Sequence, residues 1–198
     1  MSKANFYTAL RIVMAPVFFI LYFFSKWTGF ELDVLVWMLF PYFVFMEFTD
    51  FLDGYYARKE KTVSDFGKLF DPFADVLANL TVLLIFVLDG YMPVVFFLII
   101  LYREMGIMFI RMLASRKGIA IGARKGGKMK TVLYIVAAGF SLLLESGVRL
   151  GYSPVDHFAW LAYVNYALYT FAVIASVASF IDYLTHFSNV WKKTENDV

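Results

Sequence analysis

The sequence predicts an all-α integral membrane protein with six transmembrane helices, both termini in the cytoplasm and a polar cavity open to the cytoplasmic side. Three observations carry that reading. Of the 198 residues, 61% are hydrophobic and only 17% charged, and mean hydropathy is +0.68; an ordinary soluble domain has about 45–50% apolar and about 25% charged residues. Helix breakers divide the apolar residues into six stretches near span length. Basic residues collect on alternate connections. So few charges cannot cover a soluble domain of this size, which excludes a water-soluble enzyme and a disordered chain. No linker-like composition interrupts the chain, so residues 1–198 read as one membrane domain.

The elements follow in order. Residues 6–24 form the first span, with an uncharged run over 12–25 and a stop at Gly29. Its length, Arg11 inside it and the lack of a small-residue cleavage site argue against a signal peptide. Residues 34–56 form the second, its uncharged part 34–46 continuing into Glu47, Asp50 and Asp53. Residues 66–88 form the third, with its uncharged run over 76–88 and closed by Asp89-Gly90 and Pro93, and 93–114 the fourth, with an uncharged run over 90–102. Residues 130–144 follow Gly126-Gly127 as the fifth, and 155–183 form the sixth. Only the last holds an uncharged run above the usual threshold of about 18 residues. The others have 13 or 14, and their polar continuations bring most of them to the ~20 residues a span requires.

Alternating connections sort the charges. Fifteen of the 18 Lys and Arg residues fall on one side, Lys26 and Arg149 on the other, and Arg103 inside the fourth span. The positive-inside rule makes the basic side cytoplasmic. That face suits anionic lipid headgroups, and nothing points to nucleic acid. Cysteine is absent, so there is no disulfide framework and no thiolate chemistry.

The second and third spans meet the cytoplasmic face at Asp50, Asp53, Gly54, Ala57 and Arg58, then Gly67, Asp71 and Asp75. On a helix, Asp50, Asp53, Gly54 and Ala57 share one face, and Asp71 and Asp75 share another. A short loop brings the two helices together, so four carboxylates converge while small residues allow close approach. Carboxylates so placed repel unless a cation neutralises them. All-oxygen donors suit Mg²⁺ or Mn²⁺ and not Zn²⁺. Two such ions balance four carboxylates and match the clamp of a two-metal phosphoryl displacement. Arg58 can offer a forked donor to phosphate oxygens.

The string D-x2-D-G-x2-A-R-x8-G-x3-D-x3-D, matched at every fixed position, resembles the signature of the CDP-alcohol phosphotransferases, six-helix membrane enzymes that usually form homodimers. The resemblance implies transfer of a substituted phosphate from a CDP-alcohol to a second alcohol, with release of CMP. It implies that Asp50, Asp53, Asp71 and Asp75 bind two divalent metals and that Asp75 is the general base. It also implies that Asp53, Gly54, Ala57, Arg58, Gly67 and Asp71 shape the CDP pocket. Within the family, four segments are similar to the bacterial phosphatidylglycerophosphate synthases: Asn5-x2-Thr8-x2-Arg11, Asp71-Pro72-x-Ala74-Asp75, Arg103-Glu104 with Arg111, and Gly127-Lys128-x-Lys130-Thr131. That branch implies CDP-diacylglycerol and sn-glycerol 3-phosphate as substrates, an inner-membrane site facing the cytoplasm, and nucleotide contacts from Asn5 and Thr8. Ala4 and Val76 depart from the branch pattern, which leaves serine, inositol phosphate or another alcohol as alternative acceptors. Outside the enzyme class, a divalent-cation transporter is the competing reading, since intramembrane carboxylates also mark ion paths.

A phosphorylated acceptor needs its own cationic subsite, for which Arg111, Lys130 and Arg103 are the candidates. Arg103, deeper in its span, either serves that subsite or pairs with Glu104 or Glu47 and braces the helices. His157, His186 and Asp182 read as boundary residues, and Trp27, Trp160 and Trp191 as interfacial anchors. Glu47 lies one turn before Asp50, and the basic segment 116–130 reads either as a lipid-binding loop or as a substrate gate.

Overall fold

In the computed structural model the described parts of the six apolar stretches lie in helices, save Pro93, which precedes its helix, and residues 155–159 lie outside the described residues. Residues 3–29, 33–60, 65–116, 125–151 and 160–196 are described, with side chains over 6–29, 34–49, 52, 70–115, 127–151 and 160–188. The helices are α1 (Lys3–Thr28), α2 (Asp33–Glu60), α3 (Asp65–Leu88), α4 (Val94–Arg116), α5 (Lys125–Arg149) and α6 (Trp160–Asn196). Most run past their uncharged cores into polar flanks, because helical hydrogen bonding satisfies the backbone wherever water is scarce. Among the described residues there is no strand.

Among the described residues four segments are long and apolar enough to cross a membrane: Phe6–Thr28, Phe70–Leu88, Gly127–Arg149 and Trp160–Ser188. The apolar part of α2, Val34–Thr49, is shorter, and α4 carries Arg103, Glu104 and Arg111 within its length. Among the described residues there are therefore six helices, and four of them meet a span's requirements by composition alone.

Helix α1 packs on α2 and α3, α6 packs on α5 and α4, and α3 joins the two groups through α4 and α5. Phe18, Tyr22, Leu39, Met46, Leu83 and Phe86 fill the first group's core, and Tyr134, Leu142 and Tyr169 the second's. The distribution of polarity is inverted relative to a soluble protein. Trp37, Phe109, Phe171 and Ile181 are exposed, whereas Thr8, Arg11, Arg103, Glu104, Lys130 and Asn165 are buried. An apolar exterior this extensive is suited to lipid.

The contacts between α1 and α3 set the register. Thr8 meets Asp71, Arg11 meets Asp75, and Tyr22 and Lys26 meet Asp89, with sequence separations of 63 to 67 throughout. Near-constant separation means that the two helices run parallel. At the end far from Thr8, six side chains close the bundle. Lys26 pairs with Asp89 and lies 3.0 Å from Glu145, Arg149 donates to Glu145 at 2.8 Å, and Tyr22 and Tyr91 donate to Asp89 and Glu145 at 2.6 and 2.8 Å. The Arg149 guanidinium stacks 4.5 Å from the centre of the Tyr22 ring. Burial and the bond to Glu145 raise the pKa of the Tyr91 hydroxyl. Two cations face two carboxylates there, so the cluster is neutral. Gly90, at φ 83°, makes the turn that delivers Asp89 and Tyr91 to it.

Candidate active site

Helix α2 runs unbroken through Asp50, Asp53, Gly54, Ala57 and Arg58, and α3 begins before Gly67 and carries Asp71 and Asp75. The side chains of Asn5, Asp50, Asp53, Ala57 and Arg58, and the surroundings of Gly54 and Gly67, lie outside the described residues. What the structure describes is the α3 half of the signature and the helix that holds it. Thr8 and Arg11, one turn apart on α1, face Asp71 and Asp75, one turn apart on α3. The Thr8 hydroxyl donates to Asp71 Oδ1 at 2.8 Å, and Arg11 Nη1 pairs with Asp75 Oδ1. Parallel helices allow both rungs, since three residues rise about 4.5 Å and four about 6 Å.

The two partners differ sharply in exposure. The Arg11 side chain is 5% exposed and that of Asp75 42%, so the carboxylate is gripped from the protein side and open on the other. Asn79 donates its side-chain amide to the Asp75 carbonyl at 2.9 Å, one turn further along α3. Thr49, wholly buried beside Asp50, bonds back to the Met46 carbonyl at 2.6 Å. Tyr42 of α2 donates to the Met14 carbonyl of α1 at 3.1 Å, which ties α2 to the same helix.

Asp71 and Asp75 supply hard oxygen donors spaced one turn apart, a chemistry that fits Mg²⁺ or Mn²⁺. Among the described residues no three His, Cys, Asp or Glu side chains form a metal site; the carboxylates of Asp50 and Asp53 are not among them.

A second polar cluster sits where α4, α5 and α6 meet. Glu104 is its centre: Oε2 accepts from Arg103 Nη1 at 2.8 Å, and Oε1 pairs with Lys130 and lies 3.4 Å from the Tyr134 hydroxyl. Arg103 also donates to Ser179 Oγ at 2.8 Å, and Tyr134 to Ser176 Oγ at 2.6 Å. Of the two roles expected for Arg103, the pairing with Glu104 is the one observed. Lys130 joins the same carboxylate. Arg111 lies two turns from Arg103, with its guanidinium carbon 5.9 Å from the centre of the Tyr183 ring. Arg111 Nε and the Tyr183 hydroxyl are buried without hydrogen-bond partners among the described residues. Three cations therefore gather around one described carboxylate, an excess of positive charge that calls for an anion.

Polar side chains continue along α5 at Ser141, Glu145 and Arg149, and Ser141 bonds to Asn165 and Tyr169 of α6. Between Tyr134 and Ser141, however, the buried core holds Ala137 and Ala138 together with Ala172 and Val173. That apolar break interrupts the polar stripe, which argues against an ion path.

Arg11 is the residue that sequence reasoning undervalued, reading it as a topological charge and a motif member. A single cation buried in an apolar stretch, one turn after Thr8, was the available signal. His186, Trp27 and Trp160 are exposed, as their boundary positions imply.

Compared with known proteins, residues 1–178 match the family model described as CDP-alcohol phosphatidyltransferase. A Treponema pallidum protein named CDP-diacylglycerol–glycerol-3-phosphate 3-phosphatidyltransferase is 44% identical over 98% of this chain and 92% of its own length. A Mycobacterium tuberculosis protein named probable phosphatidylglycerophosphate synthase is 35% identical over 74% of this chain and 68% of its own. A Bacillus subtilis protein with the same name as the Treponema one is 35% identical over 61% and 63%.

Proposed function

The chain belongs to the CDP-alcohol phosphatidyltransferase family, and from that premise we propose that it transfers the phosphatidyl group of CDP-diacylglycerol to sn-glycerol 3-phosphate, releasing CMP. One observation carries the choice of acceptor: the identity of 44% with a relative of that name, over nearly the whole of both chains. The surplus of cations at the buried Arg103 and Lys130 and the half-buried Arg111 supports it, because a phosphorylated acceptor brings the missing anion.

Asp50, Asp53, Asp71 and Asp75 are the residues that would hold two divalent ions, Mg²⁺ or Mn²⁺. Bound there, such ions supply charge stabilisation at the phosphoryl oxygens. The chain's own groups do the rest. Thr8 and Arg11 fix the Asp71 and Asp75 carboxylates against α1. Asp75, with its open side toward the site, takes the proton from the acceptor hydroxyl as that oxygen attacks phosphorus. The phosphoanhydride bond breaks and CMP departs. Arg58 binds the phosphate oxygens of the donor, Gly54, Ala57 and Gly67 leave room for the nucleotide with Asn5 and Thr8 beside it, and Arg111 and Lys130 hold the acceptor phosphate, with Arg103 braced on Glu104 behind them.

All six helices cross the membrane in this reading, with both termini and the site on the cytoplasmic side of the inner membrane, and the protein acts as a homodimer among membrane lipids. The test is CMP release from CDP-diacylglycerol in liposomes with a panel of acceptors. Turnover with glycerol 3-phosphate and not with serine, inositol, inositol phosphate or choline is expected. A preference for an acceptor without phosphate refutes the assignment within the family.

A further inference from the structure

The pairing of Arg11 with Asp75 places a protein cation on a carboxylate assigned to a divalent ion. The pair is lopsided. Arg11 is almost fully buried, on a helix held in place by Thr8, Tyr42 and the core residues Met14, Ala15 and Phe18. Its guanidinium cannot retreat to water, and its backbone cannot follow the side chain far. Asp75 is open on the side away from Arg11, so a cation can approach it there and compete for its charge.

We infer that Arg11 is the resident countercharge of the carboxylate site: it occupies Asp75 before divalent cations load, and afterwards turns to the diphosphate of the nucleoside-diphosphate lipid. The inference rests on the proposed reading that the four aspartates hold two divalent ions. Charge accounting leads to the second half. Two divalent cations cancel four carboxylates, Asp75 among them, so that carboxylate holds the buried Arg11 guanidinium less strongly than before. The arriving diphosphate brings two negative charges, and Arg11 and Arg58 together balance them. Planar forked donors suit phosphate oxygens better than an ammonium does. Thr8, the neutral neighbour one turn away, makes the matching contact to Asp71 without charge and so has no such exchange to perform.

The exchange predicts effects of opposite sign. With no nucleotide present, Arg11→Gln is expected to bind Mn²⁺ roughly two- to fivefold more tightly than wild type, the range for relieving a partly exposed ion pair, read from the loss of the free-Mn²⁺ electron paramagnetic resonance signal. At saturating Mg²⁺ and without acceptor, the same variant should bind CDP-diacylglycerol roughly 10- to 150-fold more weakly by calorimetry, the loss of a charge-assisted phosphate contact. Thr8→Val removes the neighbouring bond but no charge, and should not tighten Mn²⁺ binding. Unchanged or weaker Mn²⁺ binding in Arg11→Gln, or an equal gain in Thr8→Val, overturns the inference. If Arg11→Gln does not insert, Arg11→Lys keeps the charge and loses the fork. It should then hold Mn²⁺ within twofold of wild type while donor binding weakens at least tenfold by the same argument, and unchanged donor binding overturns the exchange. Wild-type protein that binds no Mn²⁺ would instead mean that the metal reading itself has failed.

Discussion

Glu104→Gln tests whether the cationic cluster is built to receive an anion. Glu104 is 5% exposed and contacts Arg103, Lys130 and Tyr134. Glutamine keeps the shape and one accepting oxygen but removes the only described negative charge from among three cations. Removing one partner of a buried ion pair costs about 3–5 kcal/mol; the retained acceptor puts this case near the low end. For a chain of this length about 3 kcal/mol corresponds to a fall in Tm of roughly 6–12 °C. Glycerol 3-phosphate should then act unevenly. At about 100 times its Kd a ligand adds about 2.7 kcal/mol to the protein that binds it, and the variant, short of one negative charge, gains more than the wild type does. Thermal unfolding of purified protein in detergent, with and without glycerol 3-phosphate and with glycerol as the uncharged control, measures both effects. A Tm within 2 °C of wild type, or equal stabilisation of both proteins by glycerol 3-phosphate, refutes the argument.

Asp71→Asn is expected to abolish CMP release while leaving membrane insertion intact, because the amide can still accept the Thr8 hydrogen bond but carries no charge; activity near that of wild type rules out its role as a ligand. Asp75→Asn should lower kcat by at least about 10²-fold, the usual loss for a general base, with a smaller effect on CDP-diacylglycerol binding, and an equal collapse of both would deny it a separate role. Arg111→Ala should raise the KM for glycerol 3-phosphate roughly 10- to 150-fold and that for CDP-diacylglycerol much less, which steady-state kinetics with each substrate varied in turn will show. Glu145→Ala leaves Arg149 buried without its carboxylate and should lower Tm by roughly 6–12 °C with both KM values unchanged, since the cluster lies about 22 Å along α5 from Lys130.

Composition and charge placement made the helices legible, because a chain this apolar has few other ways to satisfy its backbone. Helix ends were less legible: α6 continues through Trp191 and Lys192, since polar residues at a boundary extend a helix as readily as they end it. The signature was legible as residues on faces. Which helix meets those faces was not. The spacing of Thr8 and Arg11 puts them on one side of α1, but periodicity names a face and never its partner. Only packing shows that the face meets Asp71 and Asp75. The same holds for Glu104, which neighbours Arg103 in sequence and reaches Lys130 only because α4 and α5 converge on α6.

The buried charges divide by how completely they are compensated, and that division separates structure from function. At the far end the exposed Lys26 and the half-buried Arg149 balance the charges of Asp89 and Glu145, and the two tyrosines take up remaining acceptor sites. Around Glu104 the described charges leave a positive excess. Around Asp75, in the proposed reading, the four aspartates of the signature would leave a negative excess for divalent ions to balance. An interior pays for such imbalances only where a ligand removes them. Under the proposed function, opposite surpluses on neighbouring helix groups would serve the transfer: divalent cations drawn to the carboxylates, and an anionic acceptor drawn to the arginines and lysine.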